Sequence, residues 1–218
     1  MAAEDNSTES AAAQFLTTEH FALQGARAAT ISDSNGRSSL FVSTLSSSLV
    51  ALGFVGQTSQ MGEAFLIFAF VLLPTLLFLG LVTFDRLLQS SIEDMFYARG
   101  INRIRHFYTE RAPQTKPYFV LSDRDDAAGF SGNMGIEGSR FQVLLTNAGM
   151  ISVVNGVILG VLIGIIAYRT LGSSTALSAV CGGVAGVILV ALETRHQLRA
   201  WTRADHRLPV LFPSDAQP

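Results

Sequence analysis

The sequence predicts an all-α integral membrane protein, with four transmembrane helices arranged as two hairpins and with helical cytoplasmic extensions. Charged residues make up 15% of the chain, well below the roughly 25% of an average soluble protein. Four segments contain no charged residue, and each is long enough for the roughly 20 residues that cross a 30 Å hydrocarbon layer. These segments are 38–62, 64–84, 141–168 and 170–192.

Residues 1–38 are predicted to form a cytoplasmic N-terminal tail followed by a helix. The first residues, MAAEDNSTES, are acidic and polar, whereas a secretory signal peptide begins with a basic region and continues with an apolar core. We therefore expect a flexible tail at the start of the chain. Between Gln14 and Arg37 apolar residues recur at helical spacing, which predicts a helix that leads into the first span.

Residues 39–85 are predicted to form the first transmembrane hairpin, with spans at about 39–56 and 64–84. The first span is the less apolar of the two because it carries several serines. An interfacial helix is the alternative, but the apolar residues of this span leave no broad polar face of the kind that such a helix needs. Pro74 lies inside the second span, where proline is tolerated and usually introduces a kink.

Residues 86–146 are predicted to form a cytoplasmic helix and a flexible loop. Helical periodicity continues past Asp85, and Pro113 and Pro117 end the helix. Further along, the segment 122–139 combines three aspartates with several glycines. It does not fit a calcium-binding EF-hand, because the twelfth position from Asp123 is Met134 where a glutamate is needed. The segment is therefore expected to be a flexible, solvated loop.

Residues 147–192 are predicted to form the second hairpin, with spans at about 147–168 and 173–192, and 193–218 a cytoplasmic C-terminal helix and tail. Small residues recur every four positions in both spans, so they share one face of each helix. In lipid such faces allow close packing. We expect the two faces to pack against each other, with contact to another subunit as the alternative. The helix-packing residues are Ala148, Ser152, Gly156, Gly160 and Gly164, and Ser174, Ser178, Gly182 and Gly186.

The positions of the basic residues predict the orientation in the membrane. Arg and Lys together number 15. None lies between the first two spans and one, Arg169, lies between the last two, while the rest occupy the N-terminal, central and C-terminal segments. By the positive-inside rule those three segments, and hence both termini, are cytoplasmic.

Polar residues within the spans are candidates for the lining of a pore. Ser39, Ser43 and Ser46 lie on one side of the first span, and Asn155 is an amide well inside the third. The alternative is packing against other helices, with hydroxyl groups bonded to backbone carbonyls. No ionisable residue is expected at mid-membrane depth, which disfavours a proton relay or an ion-coupled carrier.

A basic and aromatic patch follows the second span. We expect it to contact anionic lipid headgroups or a phosphorylated ligand, with an orientation signal and ion pairs to neighbouring acidic residues as the alternative. Its basic members are Arg99, Arg103, Arg105 and Arg111, its aromatic members are Phe107 and Tyr108, and the neighbouring acidic residues are Glu93, Asp94 and Glu110.

The sequence contains no catalytic, cofactor-binding or metal-binding motif of the common kinds. His20, His106, His196 and His206 are scattered without ligand spacing, and Cys181 is the one cysteine, which rules out a disulfide within the chain. The net charge of −2 does not suit a nucleic-acid-binding protein. The sequence therefore predicts no catalytic residues, no cofactor, no metal site and no nucleic-acid partner.

In layout the chain resembles bacterial four-span integral membrane proteins of unknown function. A cytosolic N-terminal helix that leads into a small-residue-rich first span is also similar to the membrane effectors of cyclic-nucleotide phage defence. The resemblance covers layout alone, so no residue roles are carried over from it. It implies a location in the inner membrane and adds weight to a gated pore.

Three functions are compatible with the sequence. The first is a channel or pore formed by a homo-oligomer in the lipid bilayer and gated through its cytoplasmic helices. The second is a membrane-anchored regulatory or scaffold protein that binds a cytoplasmic protein partner. The third, an enzyme of lipids or of the cell envelope, is disfavoured because only Glu63, Asp85 and Glu193 lie near the membrane interface as acid or base groups.

Overall fold

The computed structural model describes residues 2–134, 140–172 and 174–214, and these form helices without any strand. Four of the helices are long and apolar enough to span a membrane, which confirms the all-α class and indicates a membrane protein. The α-helices are α1 (Ala2–Thr58), α2 (Glu63–Arg111), α3 (Ala127–Met134), α4 (Asn147–Leu171) and α5 (Thr175–Asp205), and two 3₁₀ helices cover Pro113–Tyr118 and Arg140–Leu145.

The helix α1 differs from the expected flexible tail because it begins at Ala2 and continues without a break to Thr58. Alanine is the strongest helix former, and the run of alanines at 11–13 joins the N-terminal residues to the helix that follows. The helix α2 also continues through Pro74. It ends at Arg111, two residues before Pro113, where proline starts a 3₁₀ helix instead.

Left-handed backbone conformations mark two of the helix ends. Gln60 and Met61 have φ of 49° and 58°, and the Met61 amide donates to the Gly56 carbonyl at 2.9 Å, so the chain leaves α1 in a tight turn. Gly172 has φ of 55° at the end of α4, a position that glycine occupies without strain. At the start of α4 the Thr146 hydroxyl accepts from the Gly149 amide at 3.1 Å and caps the helix.

The chain divides into two compact units. The apolar unit comprises Asp33–Gln89 and Arg140–Ala200, and the polar unit comprises Met1–Ser32, Ser90–Ser139 and Trp201–Pro218. The bounds of the two units fall inside α1, α2 and α5. Each of these three helices therefore contributes residues to both units.

The core of the apolar unit is formed by aliphatic side chains of α2 and α4, such as Leu73, Leu76 and Ile151, each at most 2% exposed. Beside them, α4 and α5 approach each other through backbone atoms. A Cβ atom added to Gly160 would lie 2.9 Å from the Gly182 carbonyl oxygen, closer than Cβ atoms come to other atoms in real structures.

The same close approach recurs along the two helices. Gly156 meets Gly186 one turn away, and Gly164 lies near Ser178 in the other direction. Ser174 does not take part, since it is exposed and its hydroxyl accepts from the Leu177 amide at the start of α5.

The polar unit has a small core of its own. Met95 and Ala98 of α2 pack with Phe130 of α3 and with Ala204 of α5. Trp201 covers this core, and its indole N–H donates to the Ser91 hydroxyl at 3.1 Å. Since Trp201 is the one tryptophan of the chain, its fluorescence reports on this unit alone.

A leucine at Gly182 is expected to lower the free energy of unfolding by about 3 kcal/mol, because its side chain has no room against the Gly160 backbone. Gly183, the next residue, has nothing within 4 Å of an added Cβ atom. Gly183→Leu should therefore change stability by less than about 1 kcal/mol, since leucine is the better helix former. The free energies of unfolding of the two variants are compared by denaturing each protein in mild detergent and monitoring its helix content by circular dichroism. Equal destabilisation would contradict the observed backbone contact.

Candidate functional site

The most unusual feature of the apolar unit is a buried carboxyl group. Glu193 lies on α5 and is 6% exposed. Its Oε1 atom accepts from the side-chain amide of Asn155 at 3.0 Å, and Asn155 on α4 is 0% exposed. A carboxyl group is rarely buried to this degree unless it is paired, because the loss of hydration is costly.

Two elements close the space around Asn155. A Cβ atom added to Gly80 of α2 would collide with Asn155 Oδ1, so the side-chain oxygen lies directly against the Gly80 backbone. The same added atom would lie 3.0 Å from the ring of Phe41 on α1. Gly80 thus provides the slot that admits the amide between α2 and α4.

Other polar side chains adjoin the carboxyl group. Ser152, 1% exposed, is a neighbour of Glu193, and Gln197, 3% exposed, follows it by one turn of α5. The Gln197 side-chain N–H donates to the Thr146 hydroxyl at 3.1 Å, which ties α5 to the start of α4. We refer to Ser152, Asn155, Glu193 and Gln197 as the buried polar cluster.

Each member of the buried polar cluster has one oxygen without a hydrogen-bond partner in the described part of the chain. Buried polar atoms of this kind are uncommon, and each calls for an explanation such as an ion, a proton or a water. The four atoms are Ser152 Oγ, Asn155 Oδ1, Glu193 Oε2 and Gln197 Oε1.

Charged groups lie nearby at the edge of the unit. Asp85 of α2 and His196 of α5 both act electrostatically on Glu193. Their side chains are about half exposed, and His196 Nε2 lies 3.7 Å from Asp85 Oδ1. Both are therefore partly exposed neighbours of the buried carboxyl group.

The sequence pattern did not single out Gln197 or Gly80, and it placed Glu193 near the membrane interface without assigning it to a site. It recognised Asn155 and Ser152, but treated the first as a candidate pore-lining residue and the second as a packing residue. One signal was present: Glu193 lies seven residues after Gly186 and hence on the face of α5 that carries the small residues. The structure places Asn155 inside a single chain, where it is bonded to Glu193.

The other candidate pore-lining residues, Ser39, Ser43 and Ser46, are exposed on α1. We refer to these three as the hydroxyl row. The Ser46 hydroxyl donates to the Val42 carbonyl one turn earlier, at 2.8 Å. On the opposite side of the helix Phe41 is buried against the rest of the apolar unit, at 5% exposure. The row therefore points away from its own chain.

The arginines of the basic patch are held mainly by internal bonds of the polar unit. Arg99 is 1% exposed and donates to the Asp125 carbonyl at 2.6 Å, to the Asp205 carboxylate at 2.9 Å and to the Leu208 carbonyl at 3.1 Å. Arg103 donates to the Asp125 carboxylate at 2.7 Å. These acceptors lie in the loop after α2 and in the C-terminal segment.

The remaining patch residues also have partners within the polar unit. Arg105 donates to Asn102 Oδ1 at 2.7 Å, and the more exposed Arg111 donates to Glu9 at 3.0 Å. The neighbouring acidic residue Asp94 is paired with Arg27 of α1 at 2.7 Å. Contact of Arg111 with lipid or with a ligand stays a prediction.

The aspartate-rich segment differs from the expected flexible loop over its described part, 122–134. Asp125 is 0% exposed, and its carboxylate accepts from the backbone amides of Leu211 and Phe212 at 3.1 and 2.8 Å. Asp126 accepts from the Gly129 amide at the start of α3 and from the Ser214 amide, at 2.8 and 2.7 Å. The segment therefore ties the C-terminal residues to α2.

These bonds change the acidity of the aspartates. Burial alone would raise the pKa of Asp125, but hydrogen bonds from Phe212, Leu211 and Arg103 outweigh it and hold the pKa below its ordinary value of 3.8. The same balance lowers the pKa of Asp126, through the Gly129 and Ser214 amides. Both groups therefore favour the folded state in their charged form.

The chemistry open to the buried polar cluster is the binding of positive charge by oxygen atoms. One carboxylate with amide and hydroxyl oxygens does not suit a transition metal, and within the described residues no group of three or more His, Cys, Asp or Glu is placed to hold a metal ion.

The chain matches no protein-family model, no curated protein and no solved structure.

Asp125→Asn is expected to destabilise the polar unit by about 3 kcal/mol, because it weakens the buried acceptor that Arg103 and the Leu211 and Phe212 amides share. The matched control is Glu9→Gln, which weakens an exposed pair with Arg111 in the same unit and should leave stability near that of the wild type. The unfolding temperatures of the two variants are compared by Trp201 fluorescence during heating. Asp125→Asn would also be expected to speed proteolysis of the C-terminal segment, and an unchanged rate would contradict its attachment.

Acid is expected to release the same contacts. Because the folded pKa values of Asp125 and Asp126 lie below the ordinary value of 3.8, their contribution is fully present above about pH 4 and is lost as the pH falls through the folded values. Trp201 fluorescence between pH 7 and pH 2 should therefore report loss of the polar unit only at the acidic end. A transition centred near neutral pH would contradict this assignment.

Proposed function

We propose that the chain forms a homo-oligomeric pore in the inner membrane, gated through its cytoplasmic helices. In this proposal α1, α2, α4 and α5 cross the bilayer as two hairpins, and both termini are cytoplasmic. The orientation is supported by the distribution of basic residues, which leaves the two connections between paired spans almost without arginine or lysine.

The observation that carries the proposal is the exposure of α1. Among the four candidate spans of the described chain, α1 is the least apolar, yet only 11% of its most apolar window is buried, against 17–33% in the other three. A single chain in lipid would be expected to cover its most polar span best, since hydroxyl groups gain little from contact with hydrocarbon. The opposite arrangement favours a second copy or water as the neighbour of α1.

The hydroxyl row fits the lining of such a pore. Ser43 and Ser46 face away from their own chain, while Phe41 faces inward. The bond from Ser46 to the Val42 carbonyl uses its one hydroxyl hydrogen, so the oxygen retains a free lone pair toward the outside. A ring of these oxygens from several copies would form a mildly polar path without fixed charge.

Gating through the polar unit follows from helix continuity. Both α1 and α2 are unbroken helices that contribute residues to the polar unit and to the apolar unit. A signal that changes the packing of the polar unit therefore acts on the same helices that would surround the pore. The ion pairs of Arg27 with Asp94 and of Arg111 with Glu9 join α1 to α2 within that unit.

A second candidate, a regulatory or scaffold protein, is favoured by one exposed segment. Tyr118, the last residue of the 3₁₀ helix Pro113–Tyr118, is 83% exposed, and Val120, which lies between this helix and α3, is 96% exposed. Exposed large apolar side chains in a row are typical of a docking site for a partner. A protein without conductance that binds a partner through Tyr118–Leu121 would favour this second function.

The pore is tested by cysteine accessibility in planar bilayers. Cys181→Ala removes the one cysteine, and Ser43→Cys or Ser46→Cys is then introduced. A charged thiol reagent should reduce the single-channel current at least severalfold, because these positions would face the conduction path. The oligomeric state is measured in parallel by mass in nanodiscs.

The matched control is Leu45→Cys, since Leu45 is half-buried toward its own chain. It should be labelled slowly and leave the current unchanged. A monomeric protein without conductance, or equal block at Leu45 and Ser43, would refute the pore.

A further inference from the structure

The buried polar cluster contains a carboxyl group that has no basic partner among the described residues. Glu193 is 6% exposed, and its direct hydrogen-bond donor is the neutral amide of Asn155. No arginine or lysine forms an ion pair with it among the described residues. The charged groups that act on it are Asp85, of the same sign, on α2, and His196 on its own helix α5.

An unpaired carboxylate in such a position is costly. Burial of an isolated charge in a medium of low dielectric constant disfavours the folded state unless the charge is paired or neutralised. Gly80 and Phe41 pack against Asn155, the donor to Glu193, and supply no positive charge. We therefore infer that the neutralising charge comes from solution.

The oxygens around the carboxyl group are arranged to receive it. Ser152 Oγ, Glu193 Oε2 and Gln197 Oε1 have no partner in the described chain, and all three side chains are more than nine-tenths buried. Hydroxyl, carboxylate and amide oxygens are the ligands of hard cations such as those of the alkali metals. The single carboxylate makes one positive charge sufficient, which favours a monovalent over a divalent ion.

Access to the carboxyl group is available from one side. His196 and Asp85 are about half exposed and 3.7 Å apart, and His196 follows Glu193 by three residues, which places both on one face of α5. The cluster itself begins about 8 Å into α4, since Ser152 is the sixth residue of that helix.

We propose that the buried polar cluster is a binding site for one monovalent positive charge, a proton or a small alkali cation, held by the Glu193 carboxylate with the oxygens of Ser152 and Gln197, while the Asn155 amide orients the carboxylate. Occupation of the site stabilises the packing of α4 against α5 and α2. The inference goes beyond the pore and does not depend on it, because the site lies within one chain and acts on its stability.

The test uses the full-length protein in detergent, with thermal unfolding followed by circular dichroism. NaCl, LiCl and KCl are compared with choline chloride at constant ionic strength, and each series is repeated between about pH 5 and pH 8. If a proton is bound, the midpoint temperature of unfolding rises as the pH falls, in every salt. If an alkali cation is bound, the midpoint at pH 8 rises in that salt over choline. The expected shift is roughly 3–6 °C for each tenfold increase in ligand above the dissociation constant.

The variant Glu193→Gln separates the site from other titrating groups, because Asp85 and His196 remain in place. It should abolish the shift, whereas the control Glu63→Gln, at an exposed glutamate of the same unit, should retain it. A second measurement on the wild type distinguishes the two ligands: addition of NaCl to a weakly buffered solution at pH 6 releases protons only if the cation displaces them.

The proposal is overturned if the wild type shows the same midpoint at every pH and in every salt, a result that needs no variant to fold. It is also overturned if Glu193→Gln follows the same profile as the wild type.

Should Glu193→Gln fail to fold, Glu193→Asp serves instead, since it keeps the charge and withdraws the oxygens by one methylene group. Its midpoint profile should then shift to higher ligand concentration by at least tenfold, and an unchanged profile would refute the site. Conductance plays no part in these measurements, so failure of the pore and failure of the site remain distinguishable.

Discussion

The backbone contact between α4 and α5 positions the buried polar cluster of the apolar unit. Gly160 against Gly182 and Gly156 against Gly186 bring the two helix axes closer than larger residues would allow. At that separation Ser152 lies opposite Glu193, and the Asn155 amide reaches the carboxyl group. A larger residue on either helix would separate these groups and expose the carboxylate, so the small residues serve the polar cluster as well as the packing.

Much of the helical architecture follows from simple patterns in the sequence. Charge-free segments of sufficient length predicted the four apolar helices, and the proline at 113 predicted where α2 ends. The N-terminal tail was predicted less well, because polar residues at the start of a chain show no periodicity while alanines still favour a helix. The start of α1 therefore depends on the helix propensity of its residues, which hydropathy does not measure.

The site was harder to predict because its partners are distant in sequence. Glu193 and Asn155 are separated by 38 positions and lie on different helices, and the slot for the amide depends on a glycine of a third helix, Gly80. The basic patch was difficult to interpret from the sequence for a similar reason. Arg99 donates mainly to backbone carbonyls, at Asp125 and Leu208, and carbonyl groups have no signature in a sequence. A basic patch and a buried structural arginine therefore look alike until the fold is known.

The anchoring of Arg99 has a consequence for biosynthesis. Its acceptors include Asp205 and Leu208, which leave the ribosome long after α1 and α2. During translation the guanidinium group must stay hydrated, and the aspartates at 125 and 126 lack the amides of Leu211 and Ser214. The polar unit can thus close only once residues 205–214 have been synthesised, so its packing is completed after synthesis of the apolar parts of all four long helices.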